Sequence, residues 1–311
     1  MMYVVGVDAG GTTTRARALA ADGTVLGTGR AGGANPNSHP PAQAAAAVAE
    51  AVAAATAGLD RAGLRACVVG MAGAGKLTDP AVADIFRRTW REGGFGDVAR
   101  VVSDAEAAFA SATAEPDGTV LVAGTGSIAG RIRKRRMVSV AGGYGWLLGD
   151  EGSGFWIGRE AVRATLDALS RGTALGTLAT SVLAQAGIDP DEPRAFHRLI
   201  TAANGEPPVR LARFAPLVSA AVDDDPEAER IVEQAAGLLT RTALTARDVD
   251  ESTPVVLVGS VLAEDSPVGI RVRTRLSGLD VLGSSDGVLG AAWLAAVEAF
   301  GEHALHPKGV L

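Results

Sequence analysis

The sequence predicts an α/β fold made of two related halves. A β-branched run over residues 3–8 leads into a turn of glycines and threonines, and two more short strands follow it. The same order of strand, glycine–hydroxyl turn and returning strand recurs from residue 119. After each opening, helical and extended patterns alternate, and 311 residues is the length of about two domains. We therefore expect two α/β domains that share one plan.

The first half is predicted to begin with a β-meander over residues 3–8, 12–20 and 24–30. Asp22-Gly23 stands between two short alternating runs, which is a strong hairpin signal. The later segments are predicted as a helix over 40–57, a strand over 66–71, a helix over 79–93, a strand over 99–103 and a helix over 104–112.

The second half begins with a strand over 119–123, a turn over 124–127 and a returning hairpin over 128–140. It then becomes mostly helical, and we expect helices over 154–170, 175–187, 194–203, 212–223 and 226–248, strands over 254–259 and 279–282, and a last helix over 288–300. We predict an N-terminal domain over 1–113 and a C-terminal domain over 114–311. The second domain carries the helical insertion, and its last helix is free to pack back on the first.

Composition excludes several classes of partner and site. The formal net charge of −6 argues against nucleic acid or an anionic membrane as the main partner. No segment is apolar for long enough to span a bilayer and the N-terminus lacks a secretory pattern, so we expect a cytoplasmic protein. Cys67 is the only cysteine, which excludes internal disulfides and multi-cysteine metal sites. Its apolar neighbours predict a buried thiol.

Two common nucleotide motifs are nearly present, and we reject both. Residues 70–76 (GMAGAGK) have the spacing of a P-loop, but Leu77 replaces the hydroxyl that binds magnesium. Asp79-Pro80 predicts that the next helix starts after this loop rather than at its lysine. Residues 124–129 match a dinucleotide pattern, but the charged run that follows argues against the helix such a motif needs.

The two glycine turns are candidate phosphate sites. Tight glycine turns let backbone N–H groups approach phosphate oxygens, and nearby hydroxyls add donors. One copy alone is most simply a hairpin turn, whereas two hydroxyl-rich copies at the starts of two halves favour nucleotide binding. The predicted phosphate contacts are Gly10, Gly11, Thr12 and Thr13 in the first turn, and Gly124, Gly126 and Ser127 in the second. Asp8 ends the first strand and is predicted to hold Mg²⁺, through water.

Five segments carry a resemblance to a known family: GGANPNS (32–38), GMAGAG (70–75), SDAEAA (103–108), AGTGS (123–127) and GGYGWLLGDEGSGFWIG (142–158). In them the chain is similar to the N-acetylglucosamine and glucosamine kinases of the BadF/BcrA-type ATPase family, within the superfamily of sugar kinases, actin and heat-shock chaperones. The two glycine turns resemble the superfamily's phosphate motifs, and VVLVGSV resembles its adenosine motif. The resemblance implies two ribonuclease-H-like (actin-like ATPase) domains with a central cleft, and the use of ATP and Mg²⁺.

Carried over by position, the resemblance places the catalytic base on Asp104. It places the sugar contacts on Asn35, Thr125, Gly143, Gly145 and Asp150, with Glu151 close by, and the adenosine contacts on Gly259 and Ser260. Each carboxylate also has a structural alternative. Asp104 could be the N-cap of its own helix, a role that Ser103 could share, and Asp150-Glu151 could cap the helix over 154–170.

The resemblance implies an ATP-dependent kinase that phosphorylates the 6-hydroxyl of an amino sugar. We expect glucosamine to be favoured, because Asp104, Asp150 and Glu151 would attract a protonated 2-amine. N-acetylglucosamine is the alternative. A protein of another class, a non-catalytic sugar sensor or an ATPase activator, also stays open, and the resemblance allows a homodimer.

Two departures from the family pattern bear on these expectations. The adenosine motif usually carries a glycine pair, and here it reads Gly259-Ser260, which keeps a small residue. The family's activators of acyl-CoA reductases share an iron–sulfur cluster held by cysteines, and the single Cys67 excludes that branch. It likewise excludes the large sugar-kinase group that carries a cysteine-rich zinc motif.

Overall fold

The structure is a computed structural model that describes residues 1–284 and 286–306. Its strands are β1 (Tyr3–Ala9), β2 (Thr13–Ala20), β3 (Val25–Gly32), β4 (Leu64–Met71), β5 (Ala99–Ser103), β6 (Gly118–Ala123), β7 (Ser127–Arg133), β8 (Arg136–Gly142), β9 (Val255–Val258) and β10 (Val281–Gly283). Its α-helices are α1 (Pro41–Ala55), α2 (Pro80–Glu92), α3 (Asp104–Ala112), α4 (Gly145–Leu148), α5 (Gly154–Arg171), α6 (Thr177–Gln185), α7 (Ala195–Asn204), α8 (Ala215–Ala221), α9 (Pro226–Thr245), α10 (Pro267–Arg275) and α11 (Gly287–Phe300). Within these described residues, no helix combines the length and the apolar character that crossing a membrane requires.

The chain divides by packing into two compact units. Unit 1 comprises Met1–Asp117, Ile132–Met137 and the described residues from Ser284 onward. Unit 2 comprises Gly118–Arg131 and Val138–Gly283. The last helix, α11, thus packs within unit 1. The domain limits expected from the sequence, 1–113 and 114–311, stay a prediction.

Unit 1 is built on a five-stranded sheet with the order β3-β2-β1-β4-β5. The first three strands form the predicted antiparallel meander, and β1, β4 and β5 run parallel. The register places Ala9 beside Met71 and Met71 beside Ser103. The carboxyl ends of the three parallel strands therefore meet at one edge, which is where open α/β sheets bind their ligands.

Unit 2 repeats this plan. Its sheet has the order β10-β9-β6-β7-β8, in which β6 takes the central place that β1 has in unit 1. The strands β6, β9 and β10 run parallel. Leu121, Ile231 and Leu239 are fully buried in the core that joins this sheet to its helices. The repeated strand order confirms the α/β fold in two related halves.

Two glycines let α11 lie directly against β1 and α3. A Cβ atom on Gly6 of β1 would stand 2.1 Å from the backbone nitrogen of Ala292 in α11. A Cβ on Gly290 would stand 1.9 Å from the carbonyl oxygen of Ala107 in α3. Any side chain at either position would force the elements apart, so these glycines are required by close backbone approach.

The segment with P-loop spacing does not form a P-loop. Its last residues form a short 3-10 helix over Ala74–Thr78, and α2 begins only at Pro80. The Asp79 carboxylate accepts a hydrogen bond from the backbone N–H of Ala81, at 2.9 Å, and caps that helix. The rejection of this motif from the sequence is confirmed. Cys67 is buried, which confirms the expectation, and this burial raises the pKa of its thiol to about 12.

Three helical segments differ from expectation, and one of them is the short helix α4, which was not predicted. The pattern predicts one helix over 212–223, whereas the structure has a 3-10 helix over Pro208–Phe214 followed by α8. Pro216 has no N–H to donate, so an α-helix that began at residue 212 would lose a bond there, and α8 instead starts with Pro216 in its first turn. The helix α10 was not predicted, although Ser266-Pro267 at its start is a helix-start signal.

Candidate active site

The first glycine turn connects β1 to β2 and is tied to the segment that follows β3. The backbone N–H of Gly10 donates to the carbonyl of Thr13 at 3.0 Å, which closes the turn. The carbonyl of Gly10 accepts hydrogen bonds from the N–H groups of Ala34 and Asn35, at 2.9 and 3.2 Å. The predicted sugar residue Asn35 therefore lies beside the predicted phosphate turn. Gly11 and Thr12 are exposed at its tip.

The Asn35 side chain is held in place on two sides. Its Oδ1 accepts a hydrogen bond from the backbone N–H of Asn37 at 2.9 Å. A Cβ on Gly73, whose φ is +77°, would stand 2.3 Å from the same oxygen. Only glycine leaves room for Asn35 in this position. The GGANPNS and GMAGAG segments thus meet at the phosphate turn.

Asp104 lies at the same edge of the sheet and does not cap its helix. Ser103 is the N-cap of α3, and Glu106 completes the capping box by accepting from the Ser103 backbone N–H at 2.6 Å. The Asp104 Oδ1 accepts a local hydrogen bond from the N–H of Ala105, at 3.0 Å. Its carboxylate remains accessible to solvent. Desolvation by the surrounding protein raises the pKa of Asp104, and the nearby charge of Asp8 acts in the same direction.

Asp8 is the last residue but one of β1 and is paired with a cation. Arg15 Nη2 lies 2.6 Å from Asp8 Oδ2 and 3.0 Å from Asp286 Oδ1. Its hydrogen bond to Asp8 raises the pKa of Arg15, burial opposes that rise, and the Asp286 charge adds to it. A Cβ on Gly287, the first residue of α11, would stand 3.3 Å from the Asp8 carboxylate carbon. The start of α11 therefore lies directly against Asp8.

In unit 2 the second glycine turn is tied to the segment before α5. The carbonyls of Gly124 and Thr125 accept from the N–H groups of Gly154 and Phe155, at 2.8 and 3.1 Å. Asp150 Oδ1 accepts from the backbone N–H of Ser127 at 3.1 Å. These bonds hold the turn against the most family-specific segment of the chain.

The two predicted sugar carboxylates of unit 2 do not cap α5. Ser153 takes that role, with its hydroxyl accepting from the N–H of Trp156 at 3.2 Å. Asp150 has a positive φ of 54° and bonds to the phosphate turn instead. Glu151 is exposed, and its carbonyl accepts from the Ser127 hydroxyl at 3.0 Å. The Asp150 carboxylate therefore lies beside the turn, and Glu151 contacts the turn through its backbone carbonyl.

The segment between β8 and Asp150 is exposed and rich in apolar side chains. The N–H of Gly143 donates to the carbonyl of Ser127 at 3.1 Å, and Gly145 opens the short helix α4. Both glycines have positive φ, at 72° and 77°. The exposed apolar side chains are Tyr144, Trp146, Leu147 and Leu148. The structure therefore brings Gly143 to the second glycine turn, and Gly145 lies two residues further along the chain.

The adenosine motif lies beside the second phosphate turn. Leu257 pairs with Leu121 and Val258 with Val122, so the ends of β9 and β6 are neighbours. A Cβ on Gly259, whose φ is +101°, would stand 2.3 Å from the carbonyl oxygen of Ala123. A cavity of about 400 Å³ opens at this place, and its polar lining includes Thr125, Ser219, Ser260, Asp265 and Ser266.

The residues present fit a magnesium ion that binds together with phosphates. Among the described residues, no group of three or more His, Cys, Asp or Glu side chains is placed to hold a metal by protein ligands alone. Mg²⁺ keeps several waters and usually takes one or two protein carboxylates plus substrate phosphates. Asp8 is a carboxylate of that kind, with its side chain 25% exposed and the first phosphate turn next to it.

Sequence reasoning missed three polar residues near these groups. Arg15 and Asp286 contact each other beside Asp8, and Asp265 lines the cavity next to Ser260. The Ser266-Pro267 signal could have placed Asp265 at a helix start. No local pattern could have paired Arg15 with Asp286, because they are far apart in sequence.

The sequence matches one protein family along most of its length and a curated kinase along about half. Residues 5–295 match the BadF/BadG/BcrA/BcrD ATPase family. The N-acetylmuramic acid/N-acetylglucosamine kinase of Clostridium acetobutylicum is 30% identical over 174 residues, which are 55% of this chain and 56% of that protein. The chain therefore matches little more than half the length of this curated relative.

Two solved structures share the fold along almost the whole chain. A candidate N-acetylglucosamine kinase from Chromobacterium violaceum is 29% identical, with a TM-score of 0.74 over 95% of this chain and 99% of that one. Another from Porphyromonas gingivalis is 23% identical, with a TM-score of 0.67 over 94% of this chain and 96% of that one. With the family match covering most of the sequence, the chain belongs to the BadF/BadG/BcrA/BcrD ATPase family.

Proposed function

We propose that this protein is an ATP-dependent kinase that phosphorylates the 6-hydroxyl of an amino sugar, with Asp104 as catalytic base. The observation that carries the proposal is the state of Asp104. It is accessible, stands at the carboxyl edge of three parallel strands, and is released from helix capping by Ser103. A carboxylate in that state is free to accept the proton of a sugar hydroxyl during phosphoryl transfer.

The other roles follow from the position of each residue. The turns at Gly10–Thr13 and Gly124–Ser127 are assigned to the phosphates of ATP, and Gly259-Ser260, with the adjoining cavity, to its adenosine. Asp8 is assigned to Mg²⁺, which neutralises phosphate charge when bound. Asn35, Thr125, Gly143, Gly145, Asp150 and Glu151 are assigned to the sugar. Support comes from the family's ATPase character and from the bonds that hold Asn35 and Asp150 at the two turns.

A coupled assay for ADP formation tests the reaction class. We expect ADP release to depend on added amino sugar, with one sugar phosphate formed for each ADP. ADP release at the same rate without sugar would indicate an ATPase activator. Sugar binding without any ADP release would indicate a sensor. Calorimetry with sugar alone supplies the binding control.

Glucosamine is the first candidate substrate. Asp150 and Glu151 lie together beside the second phosphate turn, and Glu151 is exposed. A protonated 2-amine would gain charge-assisted hydrogen bonds from such carboxylates, whereas an acetamide carries no charge. N-acetylglucosamine is the second candidate. It is favoured by the exposed apolar side chains of α4, which offer contact for an acetyl methyl, and by the names of the relatives.

Competition between the two sugars decides between these candidates. If the carboxylates select the amine, glucosamine has the higher kcat/KM, and Glu151→Gln lowers that value about tenfold while changing the value for N-acetylglucosamine little. A higher kcat/KM for N-acetylglucosamine in the wild-type protein contradicts the charge argument and leaves the kinase assignment intact.

A further inference from the structure

Arg15 is bound to Asp8, the carboxylate that the proposed function assigns to magnesium. Its Nη2 lies 2.6 Å from Asp8 Oδ2, within the range of a short charge-assisted hydrogen bond. The same nitrogen lies 3.0 Å from Asp286 Oδ1. The Arg15 side chain is 43% exposed, so it has room to move without unpacking a core.

A guanidinium and a metal cation compete when they share one carboxylate oxygen. Each favours the ionised carboxylate, and the two positive charges repel at such short range. Asp286 supplies a second carboxylate that can keep Arg15 paired after it leaves Asp8. Asp286 is itself fixed in place as the N-cap of α11, where its Oδ1 accepts from the N–H of Val288 at 3.3 Å.

We propose that Arg15 is the resident counter-cation of Asp8, and that it gives up its bond to Asp8 and keeps its contact with Asp286 when Mg²⁺ binds together with ATP. This rests on the proposed role of Asp8 in holding the metal. Free Mg²⁺ then binds weakly, because it must displace Arg15 without help from phosphates. Metal and nucleotide bind cooperatively, and Arg15 is a positioning residue that sets the strength of that coupling.

Mn²⁺ binding to the full-length protein, followed by electron paramagnetic resonance, tests this without reference to activity. Arg15→Met keeps the apolar length of the side chain and removes its charge. Without nucleotide, we expect this variant to bind Mn²⁺ about tenfold more tightly than wild type, since the competing bond is gone. With a non-hydrolysable ATP analogue present, we expect the two proteins to bind Mn²⁺ within about twofold of each other. Unchanged affinity without nucleotide overturns the proposal.

Arg17→Met is the matched control. Arg17 lies on the same strand, carries the same charge and, among the described residues, pairs with Asp286 at 3.9 Å rather than with Asp8. We expect it to change Mn²⁺ affinity less than twofold. An effect as large as that of Arg15→Met would mean that the overall positive charge nearby, and not competition for Asp8, sets the affinity for Mn²⁺. That result would overturn the proposal.

Asp286→Asn gives a second and independent measurement. Because this change makes the second partner of Arg15 neutral, Arg15 binds Asp8 more firmly. The affinity for Mn²⁺ without nucleotide should therefore fall severalfold. In the Arg15→Met background the same change should have little further effect, and an equal effect in both backgrounds contradicts the proposal.

Asp8→Asn tests the assignment of Asp8 to the metal separately from the proposed role of Arg15. If it leaves Mn²⁺ affinity unchanged, the assignment of Asp8 to the metal fails, whatever Arg15 does.

Discussion

Replacement of Asp104 by asparagine is expected to lower turnover by roughly 10²–10⁴-fold, the usual loss when a general base is removed. Asparagine keeps the size of the side chain and an oxygen that can accept from the N–H of Ala105, so the start of α3 should be undisturbed. The binding of ATP and sugar should therefore change little. Steady-state kinetics, together with calorimetry for each ligand, measures both.

The raised pKa of Asp104 adds a stability test with a definite sign. A carboxyl whose pKa is higher in the folded than in the unfolded chain binds its proton more tightly when folded, so the folded state loses stability as the pH rises through that range. At neutral pH the ionised Asp104 is therefore a cost to folding. Asp104→Asn should raise Tm slightly at pH 7, and this gain should vanish in acid, where the carboxyl of the wild type is protonated.

Acid should lower the activity of the wild type, although protonation of Asp104 removes a cost to folding. Only ionised Asp104 can accept a proton, so the wild-type kcat should fall as the pH drops through its raised pKa. The residual activity of the asparagine variant should lack that acidic limb. A folded variant with near-normal turnover, or with the same acidic limb, would remove Asp104 from the mechanism.

The second large effect, a loss of ATP affinity, is expected from a substitution at Gly124. It lines the cavity beside Ser260, its φ is not positive, and an added Cβ would meet no atom within 4 Å. Gly124→Val should therefore fold normally and fill space assigned to the nucleotide. We expect ATP affinity to fall by at least tenfold, about 1.4 kcal/mol, with sugar affinity nearly unchanged. Calorimetry with an ATP analogue measures this.

The structure also selects the control for that experiment. Gly278 in unit 2 is equally open around its Cβ, is exposed and lies outside the site, so Gly278→Val should leave ATP affinity as it is. Gly126 is unsuitable, because a Cβ there would stand 2.9 Å from the Asp150 carboxylate and would disturb the predicted sugar residue. Unchanged ATP affinity in the Gly124 variant would argue against the second phosphate turn.

Most elements of the fold could be predicted from local patterns. The meander of β1, β2 and β3 follows from β-branched alternation around Asp22-Gly23, and α2 begins where Asp79-Pro80 indicated. Alanine-rich α1 and the long α9 were found within a few residues of their ends, because strong helix formers fill them. The two glycine turns were predicted for a different reason, because their glycines and hydroxyls recur at equivalent places, and their role in binding phosphate stays a prediction.

The long-range contacts could not be predicted in this way. Sequence spacing carries no information on which arginine of β2 would meet Asp8, nor that Asp286 would join it. It also left open whether Asp104 or Ser103 would cap α3, since both residues can. The choice depends on backbone geometry at the end of β5, where the Ser103 hydroxyl meets the N–H of Glu106 at 3.1 Å.

The packing of α11 against β1 and α3 has a consequence for how the chain folds during synthesis. The strand β1 is made before the other strands and helices of the two units and α11 after them, yet Gly6 of β1 closely approaches Ala292 of α11. Until residue 300 has been made, one face of the first sheet is covered by α3 but lacks α11. Unit 2 needs only residues up to 283 and can complete its core sooner. We therefore expect unit 2 to finish folding before unit 1, although the sheet of unit 1 is made first. Until α11 packs on it, that sheet is exposed to aggregation.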